Sequence, residues 1–175
     1  ASEELGLYSV IEIDWDERGR AWVIETRDYP NELKPAELGK DRIRILEDTD
    51  GDGKADKAIL FADKLSIPTG MCFARGGLIV QMAPHFLFLK DTDGDDKADV
   101  REILFSGWST GDTHAGPSNL KYGFDNWIWG VMGYAGFNGK VGEKQHRFGQ
   151  GVYRFKPDGS ELEYLGRTSN NTCLL

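Results

Sequence analysis

The chain has 175 residues, a net charge of −8 at neutral pH and a hydrophobic fraction of 39%. That length supports one domain with a real core, since a chain of this size buries roughly 70% of its unfolded surface, and the acidic balance disfavours nucleic acid as a partner. No apolar run reaches the roughly 20 residues that a membrane-crossing helix needs, and the opening Ala1-Ser2-Glu3-Glu4 has no signal-peptide character and reads as a processed or trimmed end.

Alternation of apolar and polar residues, punctuated by Gly, Asp and Pro, predicts twelve strands in three groups of four and little helix. The first group (residues 9–64) has strands at Val10–Asp14, Ala21–Thr26, Arg42–Glu47 and Lys57–Phe61. The second (68–108) has Gly70–Phe73, Leu78–Met82, Phe86–Lys90 and Val100–Phe105. The third (115–167) has Asn119–Tyr122, Trp127–Met132, Gly151–Phe155 and Glu161–Gly166, with a long polar loop around Lys144, His146 and Arg147. A fourth group opens at Thr168-Ser169-Asn170-Asn171 and stops within residues 168–175. Four strands in each period of about 40 to 45 residues are the pattern of a propeller blade, so the expected fold is all-β: three blades of a β-propeller and the start of a fourth. Closed propellers have four to eight blades, and an open arc leaves strand edges free to pair. The reading therefore expects self-association, with a two-fold dimer completing a six-bladed ring, or a piece of a longer protein. The end at Cys173-Leu174-Leu175, inside a strand-like segment, points to a truncated reading frame.

Two acidic loops carry the clearest chemistry. Asp48-Thr49-Asp50-Gly51-Asp52-Gly53-Lys54-Ala55-Asp56 and Asp91-Thr92-Asp93-Gly94-Asp95-Asp96-Lys97-Ala98-Asp99 stand 43 residues apart, each between third and fourth strands. A calcium ion takes about six to eight oxygens, and carboxylates at loop positions 1, 3, 5 and 9 with a backbone carbonyl at 7 wrap one ion. Asp48, Asp50, Asp52, Asp56 and the Lys54 carbonyl fill that pattern, as do Asp91, Asp93, Asp95, Asp99 and the Lys97 carbonyl. Position 6 must turn sharply; Gly53 does so freely and Asp96 at some strain, so the second site is expected to bind more weakly. Two bound ions would offset four of the negative charges. A metal-free acidic turn is the plain alternative for each loop. Calcium loops of this kind suit the high calcium outside the cytoplasm, which makes the expected compartment periplasmic or secreted. Cys72, in an apolar strand, reads as a buried thiol, and free thiols are expected over a Cys72–Cys173 disulfide.

Strand order puts both loops on one rim of the expected propeller. The opposite rim gathers Arg27-Asp28-Tyr29, Pro68-Thr69, Pro84-His85, Asp112-Thr113-His114, Gly133-Tyr134 and Asn170-Asn171, polar and aromatic groups at a channel mouth that fit small-molecule binding, with Asn119 following on the channel-lining strand. His114, two residues after Asp112, is the candidate general base. The plain alternative is a histidine hydrogen-bonded within an inter-blade link. Trp15, Trp22, Trp127 and Trp129 are expected as packing between blades.

The runs Glu25-Thr26-Arg27-Asp28-Tyr29-Pro30, Arg42 to Asp56 and Gly123-Phe124-Asp125-Asn126-Trp127 resemble the N-terminal propeller of a family of large planctomycete and verrucomicrobial proteins labelled membrane-bound dehydrogenases. More distantly, His114 with Leu120, Gly123, Asp125 and Trp129 resembles the soluble quinoprotein sugar dehydrogenases. Their histidine takes the substrate proton beside pyrroloquinoline quinone; the spacing here is one residue longer. That resemblance implies a quinone-dependent oxidoreductase. Six-bladed propeller lactonases offer a second class, in which a channel calcium polarises an ester carbonyl and a His or carboxylate activates water; Asp112, His114, Asn119 and Asn171 would supply it, with a third calcium in the channel. The expected function leans to this calcium-dependent hydrolase, with the dehydrogenase and a non-catalytic carbohydrate- or protein-binding module as alternatives.

Overall fold

A computed structural model describes residues 4–30, 32–35 and 37–169. It is all-β, with no helix among the described residues, so none is long and apolar enough to cross a membrane. Three four-stranded antiparallel sheets follow one another along the chain. The first runs β1 (Val10–Trp15), β2 (Ala21–Glu25), β3 (Asp41–Glu47) and β4 (Lys57–Leu65) in spatial order 1-2-3-4. The second repeats that order with β5 (Gly70–Ala74), β6 (Gly77–Met82), β7 (His85–Lys90) and β8 (Val100–Ser106). The third joins β9 (Pro117–Tyr122) and β10 (Ile128–Met132) to β13 (Gly151–Phe155) and β14 (Leu162–Gly166). The leading strands β1, β5 and β9 stand side by side, β5 touching both neighbours.

The middle sheet is covered on both faces, and its sequence shows why. Strands buried on both sides lose the polar half of their alternation. Leu78, Val80, Met82, Leu87 and Leu89 face the first sheet and join Trp22, Ile24, Ile43, Ile45 and Phe61. Ile79, Phe86 and Phe88, from the opposite faces of the same strands, join Leu120, Ile128, Met132, Tyr153 and Phe155 of the third sheet. Gln81 is the polar exception. It is fully buried and its amide Nε2 donates to Tyr153 OH at 2.8 Å. Its Oε1 lies over Gly70, so any Cβ there would push the Gln81 amide out of its present place.

The structure corrects the expected long polar loop of the third sheet. Phe137–Val141 (β11) and Lys144–Phe148 (β12) pair as a hairpin inserted between β10 and β13, which raises the strands among the described residues to fourteen. Its sequence carried the signal: Phe137, Val141 and Phe148 are apolar points in an otherwise polar run that turns at Gly142-Glu143. The inserted residues are polar because one face is solvated, and the apolar points close over the second sheet. Phe137 bridges Trp108, Asn138 N–H donates to Gly107 O at 2.8 Å, and Trp108 stacks on Phe86 at 4.7 Å.

Of the tryptophans expected in inter-sheet packing, Trp22 and Trp127 are buried, whereas Trp15 is 57% exposed at the end of β1. The outer flanks account for this. Val10, Ile11, Ile13 and Leu60 on the first sheet, and Tyr122, Phe124 and Tyr164 on the third, are also exposed. The first sheet instead carries a buried charge cluster: the Glu25 carboxylate accepts from Arg44 Nε at 2.7 Å, Arg42 Nε at 2.8 Å and the Tyr8 amide at 2.9 Å. Cys72 is a free, buried thiol that burial pushes up to about 11. The expected fourth group, with Asn170, Asn171 and Cys173, lies outside the described residues apart from its first two positions.

Candidate metal centres

The two acidic loops are the β3–β4 and β7–β8 turns, and they share most of their internal bonding. Asp48 Oδ1 accepts from the Gly51 amide and Oδ2 from the Gly53 amide, each at 2.8 Å. Asp91 does the same with the amides of Gly94 and Asp96, at 2.7 and 2.8 Å. Asp56 and Asp99 each take the hydroxyl and amide of the threonine at position 2. The Asp56 and Asp99 amides then close each loop onto Glu47 O and Lys90 O at 3.0 Å. In each loop three carboxylates, Asp48, Asp50 and Asp56 or Asp91, Asp93 and Asp99, bring an oxygen apiece within 4.8 Å of one another. Hydrogen bonds from the Gly53 amide and, in the other loop, the Gly94 amide hold Asp48 and Asp91 below the usual carboxylate range. All-oxygen and convergent, each trio fits a hard divalent ion. The fifth-position residues stand apart: Asp52 caps the Lys54 amide at 2.8 Å, and Asp95 caps the Lys97 amide at 2.9 Å while pairing with its ammonium at 3.0 Å. Lys54 and Lys97 thus turn their cationic ends away toward those caps.

The loops differ at position 6. Gly53 has φ +85°, and Asp96 has φ +63°, the left-handed conformation expected of it. Nothing in the sequence marks what meets the Asp96 side chain. Arg20, in the β1–β2 turn of the first sheet, places Nη1 3.0 Å from both of its carboxylate oxygens and sets Nε 2.8 Å from Asp16 Oδ2. Asp16 also accepts from Trp22 Nε1 at 3.0 Å. Burial opposes ionisation of Asp16, but the bonds from Trp22 and Arg20 outweigh it and lower its pKa.

At the opposite end, three of the expected rim residues come together. His114 Nδ1 lies 3.5 Å from Asp112 Oδ1, the His114 amide donates to that oxygen at 2.8 Å, and the Tyr29 ring meets the His114 ring edge-on at 5.2 Å. Thr113 Oγ1 donates to Pro30 O at 2.9 Å, which ties this link to the β2–β3 loop. Asp112 is held low by the His114 amide and by the Tyr134 hydroxyl. Tyr134, which the sequence places on this rim without a role, is the hydroxyl that bonds Asp112. The other expected residues stand elsewhere. Arg27 lies over the Tyr8 ring at 4.1 Å, and Asp28 is buried on Lys34 Nζ and the Lys40 amide at 3.0 and 2.9 Å. His85 Nδ1 is 2.7 Å from Ser106 Oγ, and burial lowers its pKa. Asn119 takes a left-handed φ of 56° on β9, and Asn171 is outside the described residues. The described aspartates beside this rim do not form a third carboxylate trio.

Beneath the rim, Asp41 was unnoticed in the sequence because its work is entirely tertiary. Its carboxylate, fully buried, accepts from Thr26 Oγ1 and from the amides of Arg27, Asp28 and Ile67 at 2.6–3.0 Å, and so shapes the β2–β3 loop. The cavity beside Asp112 holds only about 20 Å³, room for one water. A 530 Å³ groove on the other rim is lined by Trp15, Trp22, Phe73 and Asp91, with Asp16, Arg20 and Asp96 already paired to one another along it.

Comparison with protein families matches residues 1–175, the whole chain, to a family model described as a domain of unknown function (DUF7133). No curated protein matches.

Proposed function

The chain belongs to the DUF7133 family, and from its own residues we propose that it is a calcium-binding β-propeller module in which each four-stranded sheet is a blade and each acidic loop holds one ion. The observation that carries this is the duplicated loop: two carboxylate trios, each within 4.8 Å, in the same bonding frame at equivalent turns. The propeller part is supported by consecutive meander sheets whose leading strands stand side by side. Calcium would supply a counter-charge to mutually repelling carboxylates and a cross-link across each turn.

On the rim away from the ions, His114 would act as general base in opening a lactone or related ester. Asp112, 3.5 Å from Nδ1, would orient the ring; Nε2 would take the proton of the attacking water, and the same proton would go to the leaving alkoxide as the lactone opens. The 20 Å³ cavity beside Asp112 favours the non-catalytic alternative, a module that binds a partner or saccharide.

Equilibrium dialysis tests the first claim. Two ions per chain are expected, and one after Asp48→Asn with Asp50→Asn or after Asp91→Asn with Asp93→Asn; a wild-type value near zero rejects calcium binding. For the rim, His114→Ala should slow lactone opening by about a hundredfold or more with both ions retained. Turnover of an aldose with added pyrroloquinoline quinone and an acceptor dye would instead favour the dehydrogenase, and no turnover of either substrate would leave the binding module.

A further inference from the structure

We propose that Asp96 and Arg20 form a calcium-linked latch between the first and second sheets, so that an ion in the second loop tightens the seam while an ion in the first does not. The inference rests on calcium binding by the loops. Its starting point is the substitution at position 6. Gly53 turns through φ +85° without a side chain, whereas Asp96 holds φ +63°, a conformation that strains a non-glycine residue. What Asp96 gains is a partner across the seam, the Arg20 guanidinium at 3.0 Å.

The contact is continuous with the rest of the junction. Asp91, a member of the carboxylate trio, accepts the Asp96 amide at 2.8 Å through Oδ2. Any ion that orders Asp91 therefore orders the backbone carrying the Asp96 carboxylate. That carboxylate meets Arg20, Arg20 meets Asp16, and Asp16 holds the amides of Arg18 and Arg20 as well as the buried Trp22 indole. Two residues further along the loop, the Ala98 amide donates to Phe61 O on β4 at 2.8 Å, a second tie across the same seam. The first loop has no side chain at position 6 to reach with, and its bonds close within it and onto β3. Two ions of the same chemistry would thus do different work, one stiffening a turn and the other joining two sheets.

Amide hydrogen exchange followed by NMR distinguishes the two roles. Whatever binds only the native, ordered state slows opening by mass action, by up to about a hundredfold at a ligand concentration a hundred times Kd. Calcium should slow the Gly94 and Lys97 amides inside the second loop and also the Asp16 and Arg20 amides of the first sheet's turn. In Asp96→Gly, which copies the residue at position 6 of the first loop and so should fold, calcium should still slow Gly94 and Lys97 but no longer Asp16 and Arg20. Arg20→Gln should give the same split from the other side, and Asp48→Asn with Asp50→Asn should leave the effect on Asp16 and Arg20 intact. Retained calcium protection of Asp16 and Arg20 in Asp96→Gly overturns the latch alone. Absence of protection at Gly94 in the wild type overturns calcium binding by that loop, and the latch with it.

Discussion

Glu25 is a carboxylate with no access to water that takes two guanidinium groups and an amide. Burial by itself would raise its pKa, yet the bonds from Arg44 and Arg42 outweigh burial and lower it. A carboxyl held below its unfolded value contributes stability that is complete above the ordinary range near pH 4.3 and is lost as pH falls through the folded value. Glu25→Gln leaves Arg44 buried without its counter-charge, which should cost about 3 kcal/mol at pH 6. Urea unfolding at pH 6 and pH 3 should show the gap between wild type and variant closing in acid; a gap of equal size at both would mean that the ion pairs contribute little. Sequence reading passed over this cluster because Arg42 and Arg44 alternate with Ile43 and Ile45 as any half-solvated strand does. Only the N-terminal segment, laying Tyr8, Leu5 O and Gly6 O over that face, turns those arginines inward.

The β11–β12 hairpin is the element that the sequence hid. Its polar residues match a loop in composition, and the few apolar ones are too sparse to mark strands until their common target is known. Phe137 is buried and sits 4.6 Å from Trp108 and 5.2 Å from Phe148. Trp108 in turn reaches Phe86 and Tyr153, so the hairpin seals the junction of the second and third sheets. Phe137→Ala should cost about 3–5 kcal/mol, read as a lower urea midpoint with an unchanged m-value. A loss below about 1 kcal/mol, the level of an ordinary surface change, would show that the hairpin lies loosely on the surface. By contrast the twelve strands of the three sheets were legible, because alternation on the outer sheets and unbroken apolar runs in the middle one follow from which faces are covered. Strand ends shifted by a residue or more, as with β4, which continues through Asp63 and Lys64 to the buried Leu65.

For the molecule as a whole, calcium is expected to act as a stability ligand. Binding at a hundred times Kd contributes about 2.7 kcal/mol per site, and in a chain of this size each kcal/mol moves the melting temperature by about 2–4 °C. Chelating both ions at pH 7 should therefore lower Tm by about 10–20 °C, measured by calorimetry. Because ligand carboxylates must be ionised to hold the ion, that difference should shrink as the pH is lowered into the acid range, with Asp48 and Asp91, held below the usual carboxylate range, the last to limit it. An unchanged Tm on chelation would remove calcium from the account of stability.

The sequence by itself determined the all-β class, the grouping of strands in fours and the positions of both acidic loops. Each of these is written locally, in period-two alternation and in carboxylates spaced along one turn. The tertiary structure alone decided that Asp96 meets Arg20, that Tyr134 joins Asp112 and His114, and that a polar stretch folds back as a hairpin. The first two join residues well separated in the chain; the hairpin pairs locally but is fixed by the contact of Phe137 with Trp108, and all three depend on burial and geometry that arise when the sheets dock.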